Sequence, residues 1–176
     1  APLAARLSEF HAWAPDLRGH GDSTLPDVDF DWHSFSEDLE AVLETISPEE
    51  PVFGFAHSMG ATASLLLEGR RPGTFRALYC YEPIVIPAQV ATITAEQQKR
   101  FRETVRKRRR SFASPAAAYD RYSSRPPFSE FERPSLEAYI EHGFDTLDDS
   151  SIRLKMHPDD EVRVFQMNRL ENAFEV

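Results

Sequence analysis

What this chain lacks narrows it first. It carries one cysteine, Cys80, in 176 residues, so it can close no internal disulfide and has no zinc-spaced Cys/His set. Cys80 lies in an apolar run and reads as a small buried hydrophobe. A reducing, cytoplasmic setting fits that usage. No apolar run is long enough to span a bilayer, and no signal-peptide pattern opens the chain. Positive charge is in the minority. Lys and Arg number 20 against 29 Asp and Glu, giving a net charge of −9 and a pI near 5.1, which argues against a general nucleic-acid or membrane-surface binder. There is no internal repeat, and no low-complexity tract beyond one arginine run. An initiator methionine is also missing, and the first residues read as the middle of a helix, so we expect a fragment of a longer protein. What is present is ample apolar material, 41% of the chain with 13 Phe. That suits one domain, or one domain and part of another.

The most informative stretch is residues 51–68, PVFGFAHSMGATASLLLE. A short apolar run (Val52, Phe53, Phe55) ends at Ala56-His57-Ser58-Met59-Gly60, and a helix-compatible run follows at once. The pattern predicts strand, sharp turn, helix, with Ser58 at the apex. A serine held there needs small neighbours, because a large side chain two positions away would meet the adjoining strand or helix. Ala56 and Gly60 fit that demand. A helix starting behind Ser58 aims its free N–H groups at the serine oxygen, so the Met59 N–H is placed to stabilise an oxyanion. The competing reading is a Ser-Met-Gly turn that merely caps a helix.

Taken in order, residues 1–9 read as helix and Phe10–Ala14 as a strand. Leu17–Ser23 is a loop containing Gly19 and Gly21. A helix is expected from about Ser34 to Ile46, with Ser34 and Glu37 as its capping box. The strand at Val52, the elbow, a helix to about Arg70 and a strand over Phe75–Tyr81 follow. Strand and helix alternate, which predicts an α/β fold, a parallel sheet with helices on both faces. Ligands of such sheets gather at the C-terminal strand edge. After Pro87 the pattern changes. Residues 94–112 are helical and basic, 114–131 read as short pieces, and helices are expected over Pro134–His142 and Pro158–Phe174. With no strand signal stronger than Ile152–Met156, this half reads as all helical.

Three stretches carry a resemblance: DLRGHGDS at Asp16–Ser23, AHSMG at Ala56–Gly60 and YCYEPIVIP at Tyr79–Pro87. Their order and spacing resemble the α/β-hydrolase superfamily. RKRRRSFASPAAAYDRY, RPPFSEF, LEAYIEHGF and IRLKMHPDDE are similar to the helical cap of a bacterial serine-nucleophile subgroup. The resemblance implies a partial α/β-hydrolase core over residues 1–87 and an α-helical cap or lid over 88–176. It implies a serine hydrolase of carboxylic esters or related acyl bonds in a small substrate, with Ser58 as nucleophile and Met59 in the oxyanion hole. No metal or organic cofactor is needed. The family's order is serine, acid, histidine, and the last two normally follow the cap. We therefore expect this chain to lack the triad acid, the histidine and one oxyanion donor, and to be inactive or severely impaired alone. A serine at the elbow argues against Asp-nucleophile relatives such as haloalkane dehalogenases and epoxide hydrolases. Carbon–carbon bond hydrolysis or perhydrolysis stays open, as does a non-catalytic binding protein on the same scaffold.

The remaining candidates are weaker. His57 adjoins Ser58 and should point away from it, as a packing or supporting residue. The resemblance makes His20 a loop-stabilising residue lining the site. Asp16 and Asp22 read as loop-shaping, and Asp22 also as cleft-lining. Glu82, at the end of the strand beside the elbow strand, is a polar strand terminus fixed by Pro83, an auxiliary site residue or a displaced triad acid. His157 beside Asp159 and Asp160 suggests a base with its acid, but no pattern brings it to Ser58. The basic stretch Lys99–Arg110 reads as a solvated cap helix rather than a phosphate-backbone site.

Overall fold

The computed structural model describes residues 2–27, 30–84 and 95–165. The elements run α1 (Pro2–Arg6), α2 (Trp32–Ile46), β1 (Val52–His57), α3 (Ser58–Arg70), β2 (Phe75–Tyr81), α4 (Ala95–Arg106), β3 (Ser111–Phe112), α5 (Pro115–Ser123), α6 (Arg133–Gly143), β4 (Phe144–Thr146), β5 (Ile152–Leu154) and α7 (Pro158–Phe165). A single 3-10 turn covers Phe128–Glu130. Two compact units result, one of Ala1–Thr24 with Glu103–Val162, the other of Leu25–Arg102 with Arg163–Val176. The expected boundary at 87/88 and the expected helix end at Phe174 lie outside the described residues.

In the second unit β1 and β2 pair in parallel, Phe55 opposite Tyr79 and His57 opposite Tyr81. Parallel neighbours need a crossover, and α3 provides it. Val52, Gly54 and Ala56 form the more buried side of β1, and α3 buries Ala61, Thr62, Ala63, Leu66 and Leu67. The opposite side of the strands carries Phe53, Phe55, Tyr79 and Tyr81, each more than half exposed, with Phe55 and Tyr79 stacked at 5.2 Å. Among the glycines of this unit, Gly54 is the most crowded. A Cβ there would come 2.5 Å from Leu78 Cδ1 and 2.9 Å from Phe75 Cδ1. Gly54→Val should therefore cost about 2–3 kcal/mol through overpacking, seen as a lower urea midpoint at unchanged m-value. An unchanged midpoint would show that this approach of side chains is not maintained in solution.

The start of α2 differs from expectation. Its N-cap is Asp31, whose Oδ1 accepts from Ser34 N at 3.0 Å, while Asp31 N donates to Ser34 Oγ at 3.3 Å. The capping box is thus Asp31 with Ser34, not Ser34 with Glu37. An aspartate caps as well as a serine, and using it starts the helix at Trp32. Helices α2 and α3 are joined by Arg70, bonded to Glu40 and to Ser36 Oγ at 3.1 Å, and by Arg71 with Glu44 at 3.2 Å. Glu68 fixes the turn into β2 by accepting from Gly73 N at 2.7 Å and Phe75 N at 3.0 Å.

The first unit is built on a separate core of Phe112, Ala118, Tyr122, Leu136, Ile140, Phe144, Ile152 and Leu154. It is not all helical, as the sequence suggested. A three-stranded antiparallel sheet, ordered β3-β5-β4, threads through it. β5 falls within Ile152–Met156, the strand signal noted in the sequence, while β3 and β4, of two and three residues, are too short to show a period. The basic helix also stops early, at Arg106. Arg108 instead bonds Glu161 Oε1 at 2.7 Å and Tyr139 Oη at 2.6 Å, side-chain partners that a continuing solvated helix does not supply. The expected strand at Phe10–Ala14 does not form. The alternating pattern predicts extended backbone, but a ladder needs a partner strand, and among the described residues none pairs with this segment. His11 and Trp13 stack on each other at 4.9 Å instead.

Candidate active site

Ser58 stands where β1 gives way to α3, and its backbone φ is 51°. An L-residue other than glycine avoids that left-handed region because its Cβ crowds the following carbonyl. Such strain persists only where surrounding structure imposes it. Here a parallel strand fixes one side and a 13-residue helix the other. The first N–H groups of α3 lack intrahelical acceptors, and His57, preceding the helix, gives them no side-chain cap. The Met59 amide and its neighbours therefore keep their donors and the positive helix end beside the half-buried serine. Among the described residues, no hydrogen bond reaches the Ser58 hydroxyl.

One expected crowding is absent. A Cβ built on Gly60 meets nothing within 4 Å, so the described neighbours do not demand glycine there. The close approach falls on Gly54, inside the strand, where two strands rather than a strand and a helix converge.

Glu82 is the step-mate of Ser58. The ladder ends at His57 opposite Tyr81, so the next residues on the two strands are Ser58 and Glu82. Glu82 also has a positive φ, 45°. Two neighbouring strands thus leave the sheet through left-handed, non-glycine residues at one level. Ser58, Met59, His57 and Glu82 share this C-terminal edge. The His57 ring packs against Tyr81 at 5.5 Å and is exposed. Sequence reading passed over Thr62, which is 1% exposed. Its hydroxyl accepts from Ile84 N at 2.9 Å and lies 3.2 Å from both Ser58 O and Ile84 O. A signal was available, since a threonine buried on a helix must find a polar partner.

His20 and Asp22 belong to the other unit. His20 Nδ1 lies 3.1 Å from Arg18 O, and since a carbonyl only accepts, that nitrogen carries the proton. Asp16 is the loop-shaping residue, accepting from Asp22 N at 3.0 Å through its side chain and from Ser23 Oγ at 2.8 Å through its backbone. Gly21, at φ 52°, packs so closely on the Asp16 carboxylate that a Cβ would sit 2.0 Å from it. The Asp22 carboxylate is not used for the turn; it pairs with Lys155 at 2.6 Å. His157 Nδ1 accepts from Asp159 N at 3.1 Å, at the start of α7, and lies 3.7 Å from the Asp159 carboxylate. Cys80 is half-buried rather than buried as expected, and its partial burial pushes the thiol up from its ordinary pKa. Among the described residues, no group of His, Cys, Asp and Glu could hold a metal ion, and no helix is long and apolar enough to cross a membrane.

A cavity of about 140 Å³ lies between Leu43, Ser47, Pro51, Val52 and Arg71. It is at the N-terminal end of β1, about 20 Å along the strand from Ser58 at strand spacing, so it does not serve the serine.

Comparison with known proteins gives a consistent family. A profile described as "Alpha/beta hydrolase family" matches residues 1–165, while no curated protein matches the chain. Among solved structures, an E-2-(acetamidomethylene)succinate hydrolase is similar at 21% identity and a TM-score of 0.73, covering 95% of this chain and 60% of that one. The peroxisomal α/β-hydrolase Lpx1 of Saccharomyces cerevisiae follows at 18% and 0.70, covering 89% and 46%. An esterase of Mycobacterium tuberculosis follows at 20% and 0.63, covering 90% and 52%. The chain thus spans between about half and three-fifths of the length of these relatives. Identities of this size speak for the fold alone. With a strained serine between a parallel strand and its crossover helix, and a family profile matched along nearly its whole length, this chain belongs to the α/β-hydrolase family.

Proposed function

We propose that Ser58 is the nucleophile of a serine hydrolase acting on carboxylic ester or related acyl bonds of a small substrate. The observation that carries this is the left-handed backbone of Ser58 at the β1–α3 junction. Strain of that kind is retained where it serves a purpose, and it lifts a hydroxyl off the sheet edge. On this reading Ser58 Oγ attacks the acyl carbon while the Met59 N–H and a second donor hold the oxyanion. An acyl-enzyme forms, and water releases the acid. The names of similar structures, a hydrolase and an esterase, point the same way. Glu82 and His57, on the same sheet edge as Ser58, are proposed as site-lining. The base and acid that a serine needs are proposed to come from elsewhere in the full-length protein, leaving this chain inactive or nearly so by itself. The division into a core over 1–87 and a cap over 88–176 belongs to the same proposal, as does a cytoplasmic setting with no nucleic-acid or membrane partner. No cofactor enters the scheme.

A second reading has an observation of its own. Because no hydrogen bond reaches the Ser58 hydroxyl among the described residues, a protein that binds ligands on this scaffold without turnover fits the same geometry. Carbon–carbon bond hydrolysis and perhydrolysis would use the same serine. A fluorophosphonate probe decides between enzyme and binder. Full-length protein should gain one covalent adduct, mapped by mass spectrometry to the peptide containing Ser58. An unmodified Ser58 after long exposure would reject the nucleophile assignment.

A further inference from the structure

We propose that Thr62 is a positioning residue that fastens the segment leaving β2, with Glu82, to the first turn of the elbow helix; this rests on the reading of Ser58 as nucleophile. Ser58 and Glu82 are one step beyond the last ladder pair, His57 and Tyr81, and both have left-handed backbones, at 51° and 45°. A left-handed residue between a strand and a free loop would relax unless something downstream held it. For Ser58 the restraint is α3 itself. For Glu82 it is found two residues on, where Ile84 N donates to Thr62 Oγ1 at 2.9 Å. The single hydroxyl hydrogen of Thr62 is then shared between Ile84 O and Ser58 O, each 3.2 Å away. One buried hydroxyl therefore touches the backbone of the nucleophile and both polar backbone groups of Ile84.

The consequence is mechanical. The first turn of α3 carries the donors that would face an oxyanion, and the turn at Glu82 lies beside it on the neighbouring strand. With Thr62 in place these two turns move as one body. Without its oxygen, Ile84 N loses its acceptor, and the Glu82 turn is free to leave its strained conformation. A displacement of about 1 Å at a catalytic edge is enough to cost up to about a hundredfold in rate.

The test uses Thr62→Val, which keeps the shape and removes the hydroxyl, and Thr62→Ser, which keeps the hydroxyl, both in the full-length protein. Labelling of Ser58 by an ethoxy fluorophosphonate should slow by about tenfold or more in T62V and stay within about twofold of the parent in T62S. Hydrogen exchange at the Ile84 amide should be protected in the parent and in T62S, and at least about tenfold faster in T62V. A folded T62V that labels at the parent rate overturns the proposal. So does an Ile84 amide that exchanges in the parent as fast as in an unstructured peptide, a result available even if T62V fails to fold. If the parent protein never labels, the reading of Ser58 fails instead, while protection of Ile84 and its loss in T62V still decide whether Thr62 is the fastening.

Discussion

Ser58→Ala in the full-length protein should lower kcat/KM on a short aryl ester by at least about a thousandfold, because on the proposed reading the Ser58 hydroxyl is the group that forms the acyl-enzyme. The fall should be in kcat, with KM nearly unchanged, since the methyl leaves the binding surface intact. Stability supplies an independent check on the same residue. Ser58 is held at φ 51°, where alanine is strained as serine is and glycine is not. Ser58→Gly should therefore be more stable than Ser58→Ala by about 1 kcal/mol. Turnover indifferent to both substitutions would remove Ser58 from the mechanism. Equal stability of the two variants would mean that the left-handed turn is not held in solution.

Glu161→Ala should destabilise the unit that contains it by leaving a charge without its partner. Arg108 donates to Glu161 Oε1 and Oε2 at 2.7 and 2.9 Å and to Tyr139 Oη at 2.6 Å, and its guanidinium lies 5.7 Å from the centre of the Phe128 ring. The paired side chains are only 24% and 17% exposed. Burial works against the Arg108 charge, but Tyr139 and Glu161 outweigh it and raise its pKa above the ordinary value. Burial likewise pushes the Tyr139 phenol far above its usual range, so it stays neutral and serves Arg108 as an acceptor. Removing Glu161 strands a mostly buried cation. The loss should be about 2–3 kcal/mol, toward the lower end of the range for buried pairs because some water still reaches this one. For a chain of this size the melting temperature should fall by about 5–10 °C. Adding Arg108→Met to Glu161→Ala should restore part of that loss, since the orphaned charge is gone. Strict additivity of the two changes would show that the pair is not coupled.

Legibility differed between the two units for a physical reason. Elements of six residues or more that face a core announce themselves, and β1, α3 and β2 begin and end within a residue or two of where the apolar pattern, Pro72-Gly73 and Glu82-Pro83 place them. The short antiparallel strands β3 and β4 carry no such signal, because each is two or three residues long and is fixed only by pairing with β5, from a distance of 40 to 42 residues for β3 and 6 to 10 for β4. Phe10–Ala14 shows the converse. Its alternation is real, yet alternation specifies only a side-chain rhythm, and a strand exists when another backbone meets it.

The same division runs through the candidate site. Local sequence determined the elbow: a β-prone run meeting small residues and a helix-prone run puts one serine at a tight turn, whatever surrounds it. It also determined the sign of the chain's charge and the absence of a disulfide framework. Tertiary structure alone decided that Glu82 is level with Ser58, that Gly54 rather than Gly60 is the crowded glycine, that Asp22 answers to Lys155, and that Thr62 reaches Ile84. Each of these depends on the pairing of β1 with β2 or on the packing of β5. Contacts between segments far apart in sequence depend on register and on chain crossing, and neither is encoded in the residues at the contact itself.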